Sequence, residues 1–156
     1  KSGSKNKPLL ARNIIKTMER RSTCPINFTV EILGDKWMLL ILRDLMFNGK
    51  NSFLEFRASA EKISSAVLTE KLNTLVDEGI VSKVVSPKNA SKFLYLITDK
   101  GIELVPVMVE VLDWGSRYNP DGGPKPLLAQ IRQNKKKAIA ELQNKLRSER
   151  RSYGLD

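Results

Sequence analysis

The sequence predicts a mainly α-helical fold carrying one small two-stranded β-hairpin. Three observations lead there. Apolar residues recur at helical spacing along most of the chain; Ser, Thr, Asp and Gly stand where such stretches should start or stop; and one pair of β-branched, aromatic-rich runs is separated by turn residues. At 156 residues and 41% hydrophobic content, the chain suits one core rather than two.

The elements follow in order. PLLARNIIKTMERR (8–21) sets Leu10, Ile14, Ile15 and Met18 on one side, so a short amphipathic helix is expected. Residues 25–33 predict a second, with Gly34 as its stop and Asp35 as a cap for the next. WMLLILRDLMF (37–47) is apolar nearly all round, which implies a helix buried on most sides, and NGKNS (48–52) breaks it. SFLEFRASAE (52–61) predicts a short helix offering Phe53, Leu54 and Phe56 to the core. SSAVLTEKLNTLVDEG (64–79) places Leu68, Leu72, Leu75 and Val76 on one face, between an N-cap at Ser64 and a stop at Gly79. Two helices so joined are a helix-turn-helix candidate.

IVSKVVS (80–86) and KFLYLIT (92–98) read as two strands, with SPKNAS between them as the turn. Thr98 is expected to cap a helix over GIELVPVMVEVLDWG (101–115), whose stripe is Leu104, Met108, Val111 and Leu112 and whose Pro106 falls in the first turns or kinks it. NPDGGPKP (119–126) separates a last helix, about 126–150, in which Leu128, Ile131, Ala138, Leu142 and Leu146 make a thin stripe on a basic rod. A helix-turn-helix followed at once by a hairpin is a winged helix. The organisation is therefore a basic N-terminal arm and helix (1–23), a winged helix-turn-helix domain with a dimerisation helix (24–118), and a linker with a basic C-terminal helix (119–156). Helices 8–21, 101–115 and 126–150 carry more apolar stripe than one small core absorbs, so they are assigned to a two-fold interface. The two tryptophans, Trp37 and Trp114, are read as core or interface rather than ligand contacts.

Composition narrows function. The chain has no histidine, which removes Ser-His and Cys-His catalytic arrangements and most zinc sites. There is no Gly-rich phosphate loop, because Gly122 and Gly123 lie in a breaker cluster with no strand before it. An enzyme is disfavoured, and no cofactor or metal is implied. No apolar run reaches the roughly 18–20 residues of a membrane span, the start resembles no signal peptide, and one cysteine suits a reducing compartment, so a cytoplasmic protein is expected. Lys and Arg stand at 7 against 1 acidic residue in 1–23, 11 against 12 in 24–119 and 9 against 4 in 120–156, giving +6, −1 and +5 within a total of +10. Basic ends around a near-neutral middle suit a polyanion, or solvated helix faces.

CPINFTVEILGDKWMLLILRDL, SFLEFRASAEKISSAVLTEKLNTLVDEGIV and FLYLITDKGIELVPVMVEVLDWG together resemble the HxlR family of bacterial transcription regulators, relatives of the MarR group. The marks are a cysteine-proline near the start, Gly-x-Lys-Trp leading into Leu-Leu-Ile-Leu-Arg, Ile-Ser before the second helix of the pair, Leu-x-x-Leu-x-x-x-Gly-Ile-Val at its end, and Tyr-x-Ile-Thr-x-x-Gly leaving the hairpin. The likeness covers residues 24–115. It implies a homodimer on operator DNA, with the recognition helix in the major groove and the wing near the minor groove. Two recognition helices about one DNA turn apart, roughly 34 Å, require a near-palindromic operator.

On that expectation, the outer face of the recognition helix offers Ala66, Thr69, Glu70, Asn73 and Asp77. Thr69 and Asn73 can bond base edges, Ala66 can touch a thymine methyl, and Glu70 can accept from a cytosine amino group. Ser64 and Ser65 can bond a phosphate at the helix start. Arg57, Lys62, Lys36 and Lys50, with the wing's Lys88, Asn89 and Lys92, are the candidate backbone contacts. The helix departs from the family pattern, in which basic residues stand at Ala66 and Asn73, and Glu70 and Asp77 repel phosphate. A protein- or RNA-binding module is the alternative. Cys24, at a helix start near Arg20 and Arg21, is the candidate sensor of oxidants or electrophiles that some HxlR-type regulators use, and a small ligand is the other possible effector.

Overall fold

The computed structural model describes residues 21–155, so all but the last residue of the helix expected over 8–21 lies outside the described residues. The chain divides into two compact units at Asp35. The described part of the first holds α1 (Pro25–Leu33). Pro25 occupies its first turn, where a missing N–H costs nothing, and the N–H of Gly34 closes it on the Val30 carbonyl at 2.7 Å.

The second unit contains α2 (Lys36–Met46), α3 (Phe53–Arg57), α4 (Ser65–Asp77), β1 (Val81–Ser86), β2 (Asn89–Ile97), α5 (Asp99–Ile102), α6 (Val105–Tyr118) and α7 (Lys125–Ser152). Helix α2 lies against both α4 and α6, as its nearly all-round apolar sequence requires. Its Met38, Ile41, Leu42, Leu45 and Met46 share the core with Phe56, Leu68, Leu72, Leu75, Val105 and Val109. Three leucines at a spacing of four and three pin α4, and each such burial stabilises by about 1.5–3 kcal/mol. Glu55 Oε2 accepts from the Asn51 and Ser52 N–H groups at 3.1 and 2.9 Å, half of a capping box that starts α3.

The hairpin is antiparallel, running from Val81 opposite Ile97 to Val85 opposite Phe93; Ser86 then pairs with Asn89, and residues 90–92 bulge out. Ser52 bridges Leu94, so the segment before α3 rests on the wing. This tip differs from the expectation of a second strand beginning at Lys92: the turn is only Pro87–Lys88, and pairing resumes at Asn89.

Four other expectations need correction. The helix expected over 52–61 stops at Arg57, leaving Leu54 on the surface at 70% exposed, because five residues give barely more than one turn to bury. Val76 is only half-buried at the edge of the α4 stripe. The single helix expected over 101–115 is two. Thr98 caps α5, accepting from the Gly101 N–H at 3.1 Å, and α6 restarts at Val105 with Pro106 in its first turn, the position where proline is pre-organised. The restart changes the buried face: Val105, Met108 and Val109 turn inward, Leu104 and Leu112 are half-buried, and Val111 is 45% exposed.

The last helix differs in its use. Its five expected apolar residues are all buried, but α7 lies along α5, α6 and β2 of its own chain, so this stripe is consumed within the subunit instead of remaining for a partner. Asn134 (φ −155°, ψ 90°) interrupts the rod, and its side chain accepts from the Lys137 N–H at 3.0 Å as an internal N-cap. Beyond that kink, Lys135 Nζ stands 2.8 Å from Asp113 and 3.0 Å from Glu110, tying α7 to α6. No helix among the described residues is long and apolar enough to cross a membrane.

Candidate nucleic-acid interface

The outer face of α4 is open. Ser64, Ser65, Ala66, Thr69, Glu70, Asn73 and Asp77 are all exposed, while Leu68, Leu72 and Leu75 on the opposite side are sealed. Ser64 is spent locally, its hydroxyl accepting from the Val67 N–H at 3.3 Å as the N-cap. Thr69 donates to the Ser65 carbonyl at 2.8 Å, so its oxygen turns lone pairs outward. Glu70 is paired with Lys71 at 3.0 Å, a partner the sequence reading passed over; the pairing lessens the repulsion expected between Glu70 and phosphate.

The wing tip carries the exposed Lys88, Asn89 and Lys92. Asn89 Oδ1 accepts from the Ser91 N–H at 3.0 Å and shapes the bulge, leaving its amide donors available. Arg57 is exposed at the end of α3 and Lys62 within the segment joining α3 to α4, and Lys36 is exposed at the start of α2, 5.3 Å from the Trp37 ring centroid. Lys62 holds φ at 55°, a left-handed conformation rare for a residue with a side chain.

Lys50 is placed differently from the expectation. Its ammonium is drawn inward, 2.7 Å from Ser59 Oγ and 3.3 Å from Asp44 Oδ2, because Asp44 is a buried carboxylate that must be neutralised. Asp44 also accepts from Asn48 at 2.7 Å, from Arg43 at 2.8 and 3.0 Å, and from the Ser59 hydroxyl. Arg43 reaches on to Glu61 at 2.5 Å. Burial pushes the Asp44 carboxyl up, but the bonds from Ser59, Asn48 and Arg43 outweigh it and hold the group below its ordinary value. The hydrogen bond from Arg43 likewise lowers Glu61. Nothing in apolar periodicity signals this cluster; the only clue was a charged Arg-Asp pair inside an otherwise apolar helix.

Trp37 is half-buried. Trp114 lies open at 62% exposed with Val107, Val111 and Tyr118 on the same face of α6, its ring 5.0 Å from that of Tyr118. A cavity of about 240 Å³ opens between β2, the segment after α2 and the end of α7, and its two cations, Lys50 and Arg150, already pair with Asp44 and Asp99. Cys24 is exposed immediately before α1, and the Arg21 guanidinium pairs with Glu31 at 3.3 Å. Arg20 lies outside the described residues. Among the described residues no group of three or more His, Cys, Asp or Glu is placed to hold a metal ion.

Residues 32–122 match the family model described as HxlR-like helix-turn-helix. The chain belongs to that family. Among curated relatives, the HTH-type transcriptional regulator YdeP of Bacillus subtilis (strain 168) is 36% identical over 95 residues, covering 61% of this chain and 73% of its own. The HTH-type transcriptional regulator YodB of the same organism is 32% identical over 100 residues, covering 64% of this chain and 88% of its own. Among solved structures, the redox regulator HypR in its oxidised form superposes with a TM-score of 0.54 at 33% identity, covering 60% of this chain and 96% of that one. This HxlR-like chain is a winged helix-turn-helix transcriptional regulator, with α3 and α4 as the helix pair and β1–β2 as the wing. The family match ends at residue 122, so α7 lies beyond the matched region.

Proposed function

We propose that this HxlR-like regulator is a cytoplasmic homodimer that binds a near-palindromic operator, with α4 in the major groove and the wing tip beside the minor groove. One observation carries the reading: a polar, unobstructed α4 face lies in the same unit as an exposed tip bearing Lys88, Asn89 and Lys92. Thr69 and Asn73 read base edges, with Ala66 and Glu70 beside them. Ser65, Arg57, Lys62, Lys36, Lys88 and Lys92 meet phosphates, which gives affinity without sequence information. The dimer contact is the α6 face of Val107, Val111, Trp114 and Tyr118, since an apolar stripe of this kind at helical spacing is a surface that a second copy covers. The protein performs no catalysis in this reading. Selection of bound fragments from random duplexes by the full chain tests it, and enriched sequences without two related half-sites would refute it.

Switching by oxidants or electrophiles is assigned to Cys24, whose thiol is exposed immediately before α1, in a chain similar to the redox regulator HypR. With one cysteine per chain, a disulfide between protein thiols joins two chains, and an oxidant such as diamide takes up the two electrons and two protons. Diamide should change operator affinity of the native protein and leave Cys24→Ser unaffected. A small-molecule effector would occupy the cavity of about 240 Å³, and because its cations are already neutralised, a largely uncharged ligand suits it.

A further inference from the structure

The ionic cluster around buried Asp44 links α2 to the connection that leads into α4. Two of its members, Ser59 and Glu61, belong to the connection between α3 and α4; the rest, Arg43, Asp44, Asn48 and Lys50, belong to α2 and the segment just after it. We propose that Asp44 is a positioning residue for operator recognition: through Ser59 directly, and through Arg43 to Glu61, it fixes the connection and thereby the angle at which α4 is presented. The proposal rests on the DNA-binding reading above.

Three features of the connection support it. It runs for only seven residues, 58–64, between a five-residue helix and the N-cap Ser64, so a small change in its course becomes a rotation of α4. It contains Lys62 in the left-handed region, a conformation that persists only where surrounding contacts enforce it. Its own backbone N–H groups make three short-range bonds, from Ala58 to the Leu54 carbonyl at 3.0 Å, Ser59 to Phe56 at 3.1 Å and Lys62 to Ser59 at 3.0 Å, none of which reaches α2 or α4. The remaining hold comes from buried Ile63 and from the cluster, which line one shallow concavity together.

The apolar contacts of Leu68, Leu72 and Leu75 hold α4 against the core but are not directional, whereas the cluster is. Ser59 uses its hydroxyl twice, donating to Asp44 and accepting from Lys50. Arg43 grips Glu61 with both terminal nitrogens, at 2.5 and 3.0 Å, and Asp44 with Nε and Nη2. Two anions and two cations balance, so the cluster neither attracts nor repels DNA as a whole. Its members are positioning residues and touch no base.

The test compares Ser59→Ala, Glu61→Gln and Ser59→Thr in the whole 156-residue chain, using the duplex it selects and a scrambled duplex of equal length. Ser59→Ala and Glu61→Gln should lower selected-duplex affinity roughly tenfold, change scrambled-duplex affinity by less than about twofold and leave the salt slope unaltered, because no phosphate contact is lost. Ser59→Thr, which restores the hydroxyl, should recover most of the loss. Parallel loss on both duplexes, or no loss on either, overturns the proposal. If the native protein prefers no duplex, the DNA reading itself fails, and residual dipolar couplings still judge the positioning. A changed α4 orientation relative to α2 in Ser59→Ala upholds it, and an unchanged one overturns it.

Discussion

The Thr98 hydroxyl donates to the Gly79 carbonyl at 2.6 Å, joining the residue that leaves the wing to the turn just after α4. The same hydroxyl lies 3.1 Å from the Ile80 carbonyl and accepts from the Gly101 N–H, so one side chain ties the connection between α4 and β1 to α5. Gly101 is required there, since a Cβ would come within 2.4 Å of the Ile80 carbonyl oxygen. Thr98→Val should cost about 1–2 kcal/mol and Thr98→Ser much less, while Gly101→Ala should cost about 2–3 kcal/mol, all read from urea denaturation. Equal stabilities for Thr98→Val and the native chain would contradict this role.

Much of the fold was legible because its signals are local. Ser64, Thr98 and Gly79 were readable as caps and stops from their types and places alone, and the structure uses Ser64 and Thr98 as caps and Gly79 at φ 68°. The break between α5 and α6 was not readable, because Pro106 fits both a kink and a first turn, and the choice turns on how Gly101 and Ile102 pack against the wing. The exposed α4 face followed from periodicity. Lys50 could not be assigned from sequence, since its partners Asp44 and Ser59 meet only through tertiary folding.

Base readers and phosphate contacts should separate in mutants. Thr69→Ala and Asn73→Ala should each cost about 1–3 kcal/mol on the selected duplex and relax preference at one base position per half-site. Lys88→Ala should weaken all duplexes alike and reduce the salt slope by about one per bound chain. Quantitative binding across single-base variants of the site checks both.

The two-fold contact proposed on the α6 face makes a prediction of its own. Trp114→Glu should place a charge in the centre of the two-fold contact and yield a monomer in sedimentation equilibrium, with thermal stability of the winged unit little changed because Trp114 is 62% exposed within one chain. A Trp114→Glu protein that remains dimeric would move the interface elsewhere.

Acid should loosen the turn beneath α4. Asp44 and Glu61 both titrate below their ordinary values in the folded chain, the first against the opposing push of burial. A depressed folded value means that their contribution to stability is complete above the unfolded values near 4 and is lost as pH falls through the folded ones. Urea midpoints should therefore be flat from neutral pH to about 5 and decline below about 4, with a shallower decline in Asp44→Asn. An acid limb identical in both proteins would exclude Asp44 as a contributor.

The central claim is that the α4 face and the wing tip read duplex DNA. Its most direct measurement is the affinity of the full chain for its selected duplex and for a scrambled one, each across a series of salt concentrations. The account predicts preference for the selected duplex by about a thousandfold or more, with both affinities falling steeply as salt rises. Equal affinities for the two duplexes would contradict it and return the exposed α4 surface to a protein- or RNA-binding role.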